Sequence, residues 1–353
     1  MARAPQPTVA FVLSGGASLG AIQVGMLRAL YERGIAPDLI VGTSAGALNG
    51  AFVASRPQTV ATADALGAIW RGLRRGQAFP LNPVTGLLGF LGARAHLVPG
   101  SGLRLLVERH VACESLEDMA IPLHVVAVDV VTGEELRLSR GPVVEAVLGS
   151  AALPAVLPPV PWGDRVLMDG GVANNTPISH ALELGAERIY VLPTGHACAL
   201  EEPPGSALGM ALHAISLLTH RRLVEDVERH RDDAELVVLP PPCPLRITPI
   251  DFGHADELIA RALDDARAFL DGAAAYRTLN PSPASRPMSF VSPITKRIAT
   301  SMKPTTLARS ITANGIGRPR TFSASAQKMC PPSSGRNGNR LITASDSEIS
   351  ARM

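Results

Sequence analysis

Residues 39–51 read Leu-Ile-Val-Gly-Thr-Ser-Ala-Gly-Ala-Leu-Asn-Gly-Ala, and few backbone paths accommodate that order. Leu39, Ile40 and Val41 form a short apolar run of the kind buried as a parallel strand, and small, helix-compatible residues follow from Ala45. Between them, Gly42-Thr43-Ser44-Ala45-Gly46 fits G-x-S-x-G, the nucleophile-elbow pattern. A serine on so sharp a strand-to-helix turn sits in strained backbone, and only residues without bulk two positions to either side let strand and helix pass. Its hydroxyl is then exposed beside the free N–H groups of a helix N-terminus. A plain glycine-rich βα turn fits the same five residues, so the rest of the chain must decide.

The preceding segment sharpens the choice. Thr8 to Leu13 is apolar and β-branched, bounded by Pro7 and Ser14-Gly15-Gly16, and reads as a buried parallel strand. Leu19 to Arg33 places Ile22, Met26, Leu27 and Leu30 at helical spacing, with Gly34 as a C-cap. Three ligand readings compete for the intervening loop, Ser14 to Gly20. A Walker loop requires Lys and then Ser or Thr after Gly20, where Ala21 and Ile22 stand. A dinucleotide fingerprint requires G-x-G-x-x-G, whereas the order is G-G-x-x-x-G with no clear acidic partner on a following strand. The third reading is an oxyanion hole, in which backbone N–H groups at a helix N-terminus face an oxygen that becomes negative during acyl transfer. A candidate nucleophile on the very next strand favours the third.

Downstream, helices are expected over Ala45–Ser55 and Thr62–Leu73, and a short amphipathic one over Gly102–His110. Residues 79–100 are apolar, glycine-rich and irregular. They read as a flap over a hydrophobic pocket, a patch touching lipid, or an ordinary buried connection. Leu123 to Val131 is a strong strand signal that Thr132-Gly133 turns toward Glu135–Ser139. A helix over Val143–Leu148 leads into Ser150-Ala151-Ala152-Leu153-Pro154. Trp162-Gly163-Asp164 turns into Arg165–Met168, a strand that delivers Asp169-Gly170-Gly171. An acidic residue at a strand end, followed by two glycines, sits where backbone and substrate approach closely; taken alone, it reads rather as a turn Asp accepting backbone hydrogen bonds. A helix from Ile178 to Leu184, a strand at Arg188–Pro193, a long helix at Ala207–Arg229, a strand at Leu236–Leu239, a short extended piece at Thr248–Phe252 and a helix at Asp256–Asp271 complete the pattern. Strands and helices alternate, which predicts an α/β fold with a parallel sheet and helices on both faces.

Composition agrees. Hydrophobic residues are 46% and aromatic residues 4% of the 353, so the core is mostly Ala, Val, Leu and Ile, as suits helices on a parallel sheet. The net charge of +2 conceals an asymmetry: residues 281–353 carry 11 basic and 2 acidic residues, and residues 1–280 carry a net −7. All lysines lie in that tail, which is rich in Ser, Thr and Pro and shows no sustained periodicity, so residues 280–353 read as a disordered basic appendage. Residues 1–279 are the expected folded domain, with its core at 9–272. The four cysteines are scattered without a C-x-x-C pair, which argues for a reducing compartment and against a disulfide framework or a zinc site. No metal, cofactor or nucleic acid is expected. Ala4 to Leu27 is uncharged and follows Arg3, like a signal peptide, but Ser14-Gly15-Gly16 interrupts it. A cytoplasmic or membrane-peripheral protein is expected, with any membrane contact through residues 79–100 or the basic tail.

Four pieces taken together resemble the patatin-like phospholipases: Gly15-Gly16-Ala17-Ser18-Leu19-Gly20, Gly42-Thr43-Ser44-Ala45-Gly46, Ser150-Ala151-Ala152-Leu153-Pro154 and Asp169-Gly170-Gly171. The resemblance runs from about Val9 to Gly272. It implies a three-layer α/β fold, lipid or ester substrates, Ser44 as nucleophile with Asp169 as its dyad partner, and Gly15, Gly16 and Ala17 as oxyanion-hole backbone. Gly20, Gly42, Gly46, Gly170 and Gly171 support these motifs. One departure stands out: the family commonly has Arg or Lys just before the last glycine of the first motif, where this chain has Leu19.

The chemistry can also be argued from the residues. A serine hydroxyl is a poor nucleophile until a base takes its proton, and an aspartate becomes a useful base when desolvation raises its pKa. A Leu-rich site favours acyl chains over charged peptides. Two alternatives stand beside this reading. One is a Ser-Asp-His α/β-hydrolase using His254, although Ser44 lies early in the chain for that fold; the other is a non-catalytic lipid- or partner-binding module.

Overall fold

The computed structural model describes residues 7–74, 76 and 95–279. The aliphatic run Val9–Leu13 is strand β1. A 3-10 turn at Ala17–Gly20 leads into helix α1, Ala21–Glu32, so the first helix begins two residues later than its apolar spacing suggests. Strand β2 is Leu39–Thr43, and helix α2 is Ala45–Ala54, starting directly after Ser44. Helix α3 (Val60–Gly72) and helix α4 (Ser101–His110) precede β3 (Leu123–Asp129) and β4 (Glu135–Leu138). Helix α5 (Val143–Ser150) is followed by the hairpin β5 (Val160–Trp162) and β6 (Arg165–Asp169), whose turn uses Gly163 at φ +61°. Then come α6 (Gly171–Asn174), α7 (Ile178–Glu183), β7 (Arg188–Leu192), α8 (Ala207–His230), β8 (Glu235–Val238) and α9 (Ala255–Leu279).

The strands form one sheet in the order β5-β6-β3-β2-β1-β7-β8, with β4 also paired to β3. β3, β2, β1, β7 and β8 run parallel. β4, β5 and β6 pair antiparallel, which the simple alternation of strands and helices did not anticipate: short turns without a helix join β3 to β4 and β5 to β6, reversing the chain each time. Thr248–Phe252, expected to be extended, is a turn and loop.

The registers around β3 position the site. A strand has two hydrogen-bonding edges. Val125 and Val126 pair with both β2 and β4, while Ala127 and Val128 pair with both β4 and β6. β4 therefore takes one edge, and β2 and β6 take the other in succession. They run toward each other, Thr43 opposite Val126 and Asp169 opposite Ala127. The C-terminal ends of two strands far apart in sequence meet head-on.

Alternation along the strands feeds two cores. Phe11, Leu13, Ile40, Val125 and Ala127 pack with α1, α2, α3 and α9 on one face. Ala10, Val12, Leu39, Val41 and Val126 pack with Ile178 and Ala181 of α7 and Leu223 and Val227 of α8 on the other. The result is a three-layer α/β fold with a mostly parallel central sheet. Cys198 and Cys243 form a disulfide, which corrects the expectation of unpaired thiols; a bridge spanning 45 residues leaves no local spacing signal. Residues 79–94 of the irregular apolar segment and all of 280–353 lie outside the described residues. Of the remainder, His96 bridges to Ala155, and Val98 packs with Leu103, Leu148 and Leu157. Among the described residues, no helix is long and apolar enough to cross a membrane.

Candidate active site

Ser44 occupies the turn between β2 and α2 with φ +54° and ψ −120°, a conformation that costs a residue bearing a Cβ on the order of 1–3 kcal/mol. Two sets of contacts hold it there. The carbonyl of Ser44 accepts from Ala47 N at 2.9 Å and Leu48 N at 3.1 Å in the first turn of α2. Its own N–H donates to Ser150 Oγ at 2.9 Å, and the Ser150 hydroxyl donates in turn to the buried carbonyl of Val126 on β3. The crossing is tight: a Cβ at Gly46 would overlap the carbonyl of Leu13, and one at Gly42 would lie 2.6 Å from the carbonyl oxygen of Gly46. Bulk at either position would separate β1, β2 and α2.

Asp169 closes β6 and is buried, 4% exposed. Its Oδ2 accepts from Ser44 Oγ at 2.7 Å, and its Oδ1 accepts from Gly171 N at 2.7 Å. Burial raises its pKa from 3.8 to about 6, and these two hydrogen bonds pull in the other direction. The carboxylate is thus held as a stronger base than one in water, with the serine proton in reach. Asp169 N donates to Ala152 O and Gly170 N to Ser150 O, so the Ser150–Ala152 segment is stitched to the aspartate loop as well as to Ser44. Gly170 packs on the Val126 carbonyl, where no Cβ fits.

The glycine loop lies beside this pair, close enough that a Cβ on Gly15 would come within 3.0 Å of Ser44 Cβ. The Gly15 N–H is already committed to Asn175 O at 3.1 Å. Among the described residues, Gly16 and Ala17 keep their N–H groups unbonded, with Ala17 at φ +48°. The loop is braced from behind. Gly15 O accepts from Thr194 Oγ1 at 2.6 Å and Asn175 Nδ2 at 3.3 Å. Gln23 Nε2 donates to Ser14 O and Leu192 O, Asn49 Nδ2 donates to Gln23 Oε1 and Gly20 O, and Trp70 Nε1 donates to Asn49 Oδ1. Gln23 and Asn49 are buried, and each is satisfied, as a polar chain inside a core must be. Gly20 packs on Ala45 and the Trp70 ring.

Ser44, Asp169 and the loop open onto a cavity of about 850 Å³, within the size range of ligand sites. Its described walls are mainly aliphatic and aromatic, among them Leu48, Phe52, Leu106, Val107, Leu157 and Phe252. Leu19 lines it and is 1% exposed. The structure does not bring His254 to Ser44; His254 pairs with Asp251 and Glu257 on the half-exposed start of α9.

The sequence reading singled out Ser44, Asp169, the glycines and Ala17, but gave no role to Ser150, Asn175, Thr194, Gln23 or Asn49. Their hydrogen bonds join segments distant in the chain, 106 residues for Ser150 and Ser44, and leave no periodic trace.

Comparison with known proteins adds family evidence. The patatin-like phospholipase family matches residues 11–182. Patatin-like phospholipase domain-containing protein 6 from Mus musculus is 30% identical over 191 residues, covering 53% of this chain and 14% of the relative. Lysophospholipase NTE1 from Mycosarcoma maydis is 27% identical over 195 residues, covering 53% of this chain and 10% of the relative. The chain thus spans a small part of the length of these relatives. The crystal structure of VipD from Legionella pneumophila matches with a TM-score of 0.41 and 14% identity, over 76% of this chain and 67% of that one. The four motifs all lie within residues 11–182, the stretch over which this chain is similar to the patatin-like phospholipase family.

Proposed function

We propose that this chain hydrolyses carboxylic esters of lipids, with Ser44 as nucleophile and Asp169 as its base, in a catalytic domain of residues 1–279. The observation that carries the reading is the 2.7 Å hydrogen bond from Ser44 Oγ to a buried Asp169 at an apolar cavity. Asp169 takes the serine proton as Oγ attacks the ester carbonyl. The resulting oxyanion is met by the N–H groups of Gly16 and Ala17; Gly15, whose N–H is bonded to Asn175, shapes the loop and does not donate. Collapse of the tetrahedral intermediate breaks the ester bond. The proton on Asp169 passes to the departing alcohol, leaving an acyl-Ser44. Water then gives one proton to Asp169 as its oxygen attacks the acyl carbonyl; collapse breaks the bond from the carbonyl carbon to Ser44 Oγ, and Asp169 returns the proton to Oγ, releasing the fatty acid and the free serine.

Phospholipids and lysophospholipids are the favoured substrate class. The cavity walls suit an acyl chain, and one relative is named a lysophospholipase. Labelling with a fluorophosphonate and turnover of p-nitrophenyl esters of increasing chain length test the reading. Wild type, Ser44→Ala, Asp169→Asn and His254→Ala are compared. Activity lost in the first two variants and kept in His254→Ala supports the dyad. Loss in His254→Ala indicates a triad, and an unlabelled wild-type Ser44 indicates a binding module.

A further inference from the structure

Helix α8 is amphipathic in the wrong sense for a helix that faces water. Along Met210–Arg222 the exposed residues are Met210, Ala211, Ala214, Ile215, Leu217, Leu218, Arg221 and Arg222. At about 100° per residue these occupy one arc of roughly 160°, and its first two turns carry only apolar side chains. Leu218 is 68% exposed. The polar residues His213, Ser216, Thr219 and His220 are instead turned partly inward. A surface helix ordinarily puts its polar face to solvent, and an exposed apolar stripe marks a surface made to be covered.

Two further observations say what covers it. Ile215 and Leu218 belong both to this arc and to the wall of the cavity at Ser44; Val172 of α6, 56% exposed, lines the same cavity. The stripe is thus the rim of the cavity mouth. In addition, residues 207–224 contain no carboxylate, although residues 1–280 as a whole carry a net −7. The arc ends in Arg221, whose exposed pair with Glu225 is weak enough for lipid phosphates to replace, and in Arg222, itself 52% exposed, whose partner Asp226 is buried and also paired to Arg229.

We propose that the exposed arc of α8, with Val172, is a docking surface for an anionic phospholipid bilayer. Met210, Leu217 and Leu218 would enter the headgroup–acyl boundary, Arg221 and Arg222 would meet lipid phosphates, and the rim formed by Val172, Ile215 and Leu218 would let an acyl chain pass from bilayer to cavity without crossing water. This rests on the lipid-ester reading of the site and moves the membrane contact away from residues 79–100 and the basic tail.

The test is flotation of the full chain, carrying Ser44→Ala to prevent turnover, with vesicles of phosphatidylcholine alone or mixed with phosphatidylglycerol. The second variant adds Met210→Glu and Leu217→Glu, residues that do not line the cavity. The chain without these changes is expected to float with the mixed vesicles and about ten-fold less with phosphatidylcholine alone, and the double change to reduce mixed-vesicle binding about ten-fold or more. In the active background, the double variant should retain turnover of p-nitrophenyl butyrate and lose turnover of vesicle lipid. Equal binding by both forms overturns the proposal and assigns membrane contact elsewhere, including the segments outside the described residues. Absence of vesicle binding, or a dimer that the double variant converts to monomer without altering flotation, also overturns it. Failure of the ester reading would appear separately, as missing p-nitrophenyl butyrate turnover in otherwise wild-type protein.

Discussion

Thr43 and Asp169 are successive occupants of one edge of β3, opposite Val126 and Ala127 respectively. Strand β2 arrives from one direction and β6 from the other, so the residue after Thr43 meets the residue that ends β6. The 2.7 Å bond between Ser44 and Asp169 follows from sheet register.

Asp169→Asn should reduce ester turnover by about 10²- to 10⁴-fold, the usual worth of a general base, yet stabilise the fold at neutral pH. Between pH 3.8 and about 6 the folded chain holds a proton on Asp169 that the unfolded chain has released. Stability therefore falls as pH rises through that window, by at most roughly 3 kcal/mol for a shift of this size. Thermal unfolding should show a higher Tm for the variant than for wild type at pH 8, with the gap closing toward pH 4. The wild-type rate should rise with pH through a midpoint near 6. A variant no more stable than wild type at pH 8 would refute the desolvated-carboxylate account.

Ser150→Ala removes the acceptor for Ser44 N and the donor for Val126 O. The loss of two buried hydrogen bonds should cost about 1–3 kcal/mol, measurable by urea unfolding. Because Ser44 is then free to relax from its strained backbone, kcat should fall about ten-fold or more while KM changes little. An unchanged kcat in a destabilised protein would show that Ser150 braces the sheet alone.

Leu19→Arg introduces the charge type that the resemblance implies at this position, and the packing around Leu19 predicts that it fails. Leu19 is 1% exposed and packed in the main core, so a guanidinium there has no described counter-ion and little access to water. A drop in stability of about 3 kcal/mol or more is expected, with no gain in turnover. Wild-type Tm with increased activity would contradict the packing described for this side chain.

Gln23→Leu leaves the carbonyls of Ser14 and Leu192, and Asn49 Nδ2, each short of a partner. About 2–4 kcal/mol of stability should be lost. Trp70, bonded to Asn49, should report the disturbance as a shift in emission. An unshifted spectrum at full stability would show that the network adjusts without Gln23.

What was legible in the sequence and what was not divide on physical grounds. The sharp turn at Gly42–Gly46 was legible because an apolar strand, small residues and a small-residue helix start leave few backbone paths; Asp169 was legible as a strand end by its glycines, but its place beside Ser44 came only from the resemblance of the motif set. The two helical layers followed from spacing, since α1, α8 and α9 are long and periodic. Antiparallel β6 was not foreseen, because a strand of five residues carries the same local signal in either direction. Ser150 was quoted within a motif without a role, because its task is to hold a strained residue on another element. Gln23 and Asn49 read as ordinary helix residues, and only the fold reveals that both are buried and mutually satisfied. The Cys198–Cys243 bridge had no local spacing to announce it.

The head-on meeting of β2 and β6 has a consequence for assembly of the chain. Ser44 and Asp169 are 125 residues apart, and no direct strand pairing joins their two strands; both depend on β3 as a common template. Closing so long a loop belongs to the slow, non-local part of folding. A partly folded chain with β6 undocked retains the elbow and the glycine loop but lacks the Asp169 carboxylate beside Ser44. Under the proposed mechanism, reactivity at Ser44 is then a late-appearing property, and a chain caught midway through synthesis or refolding carries its serine unarmed.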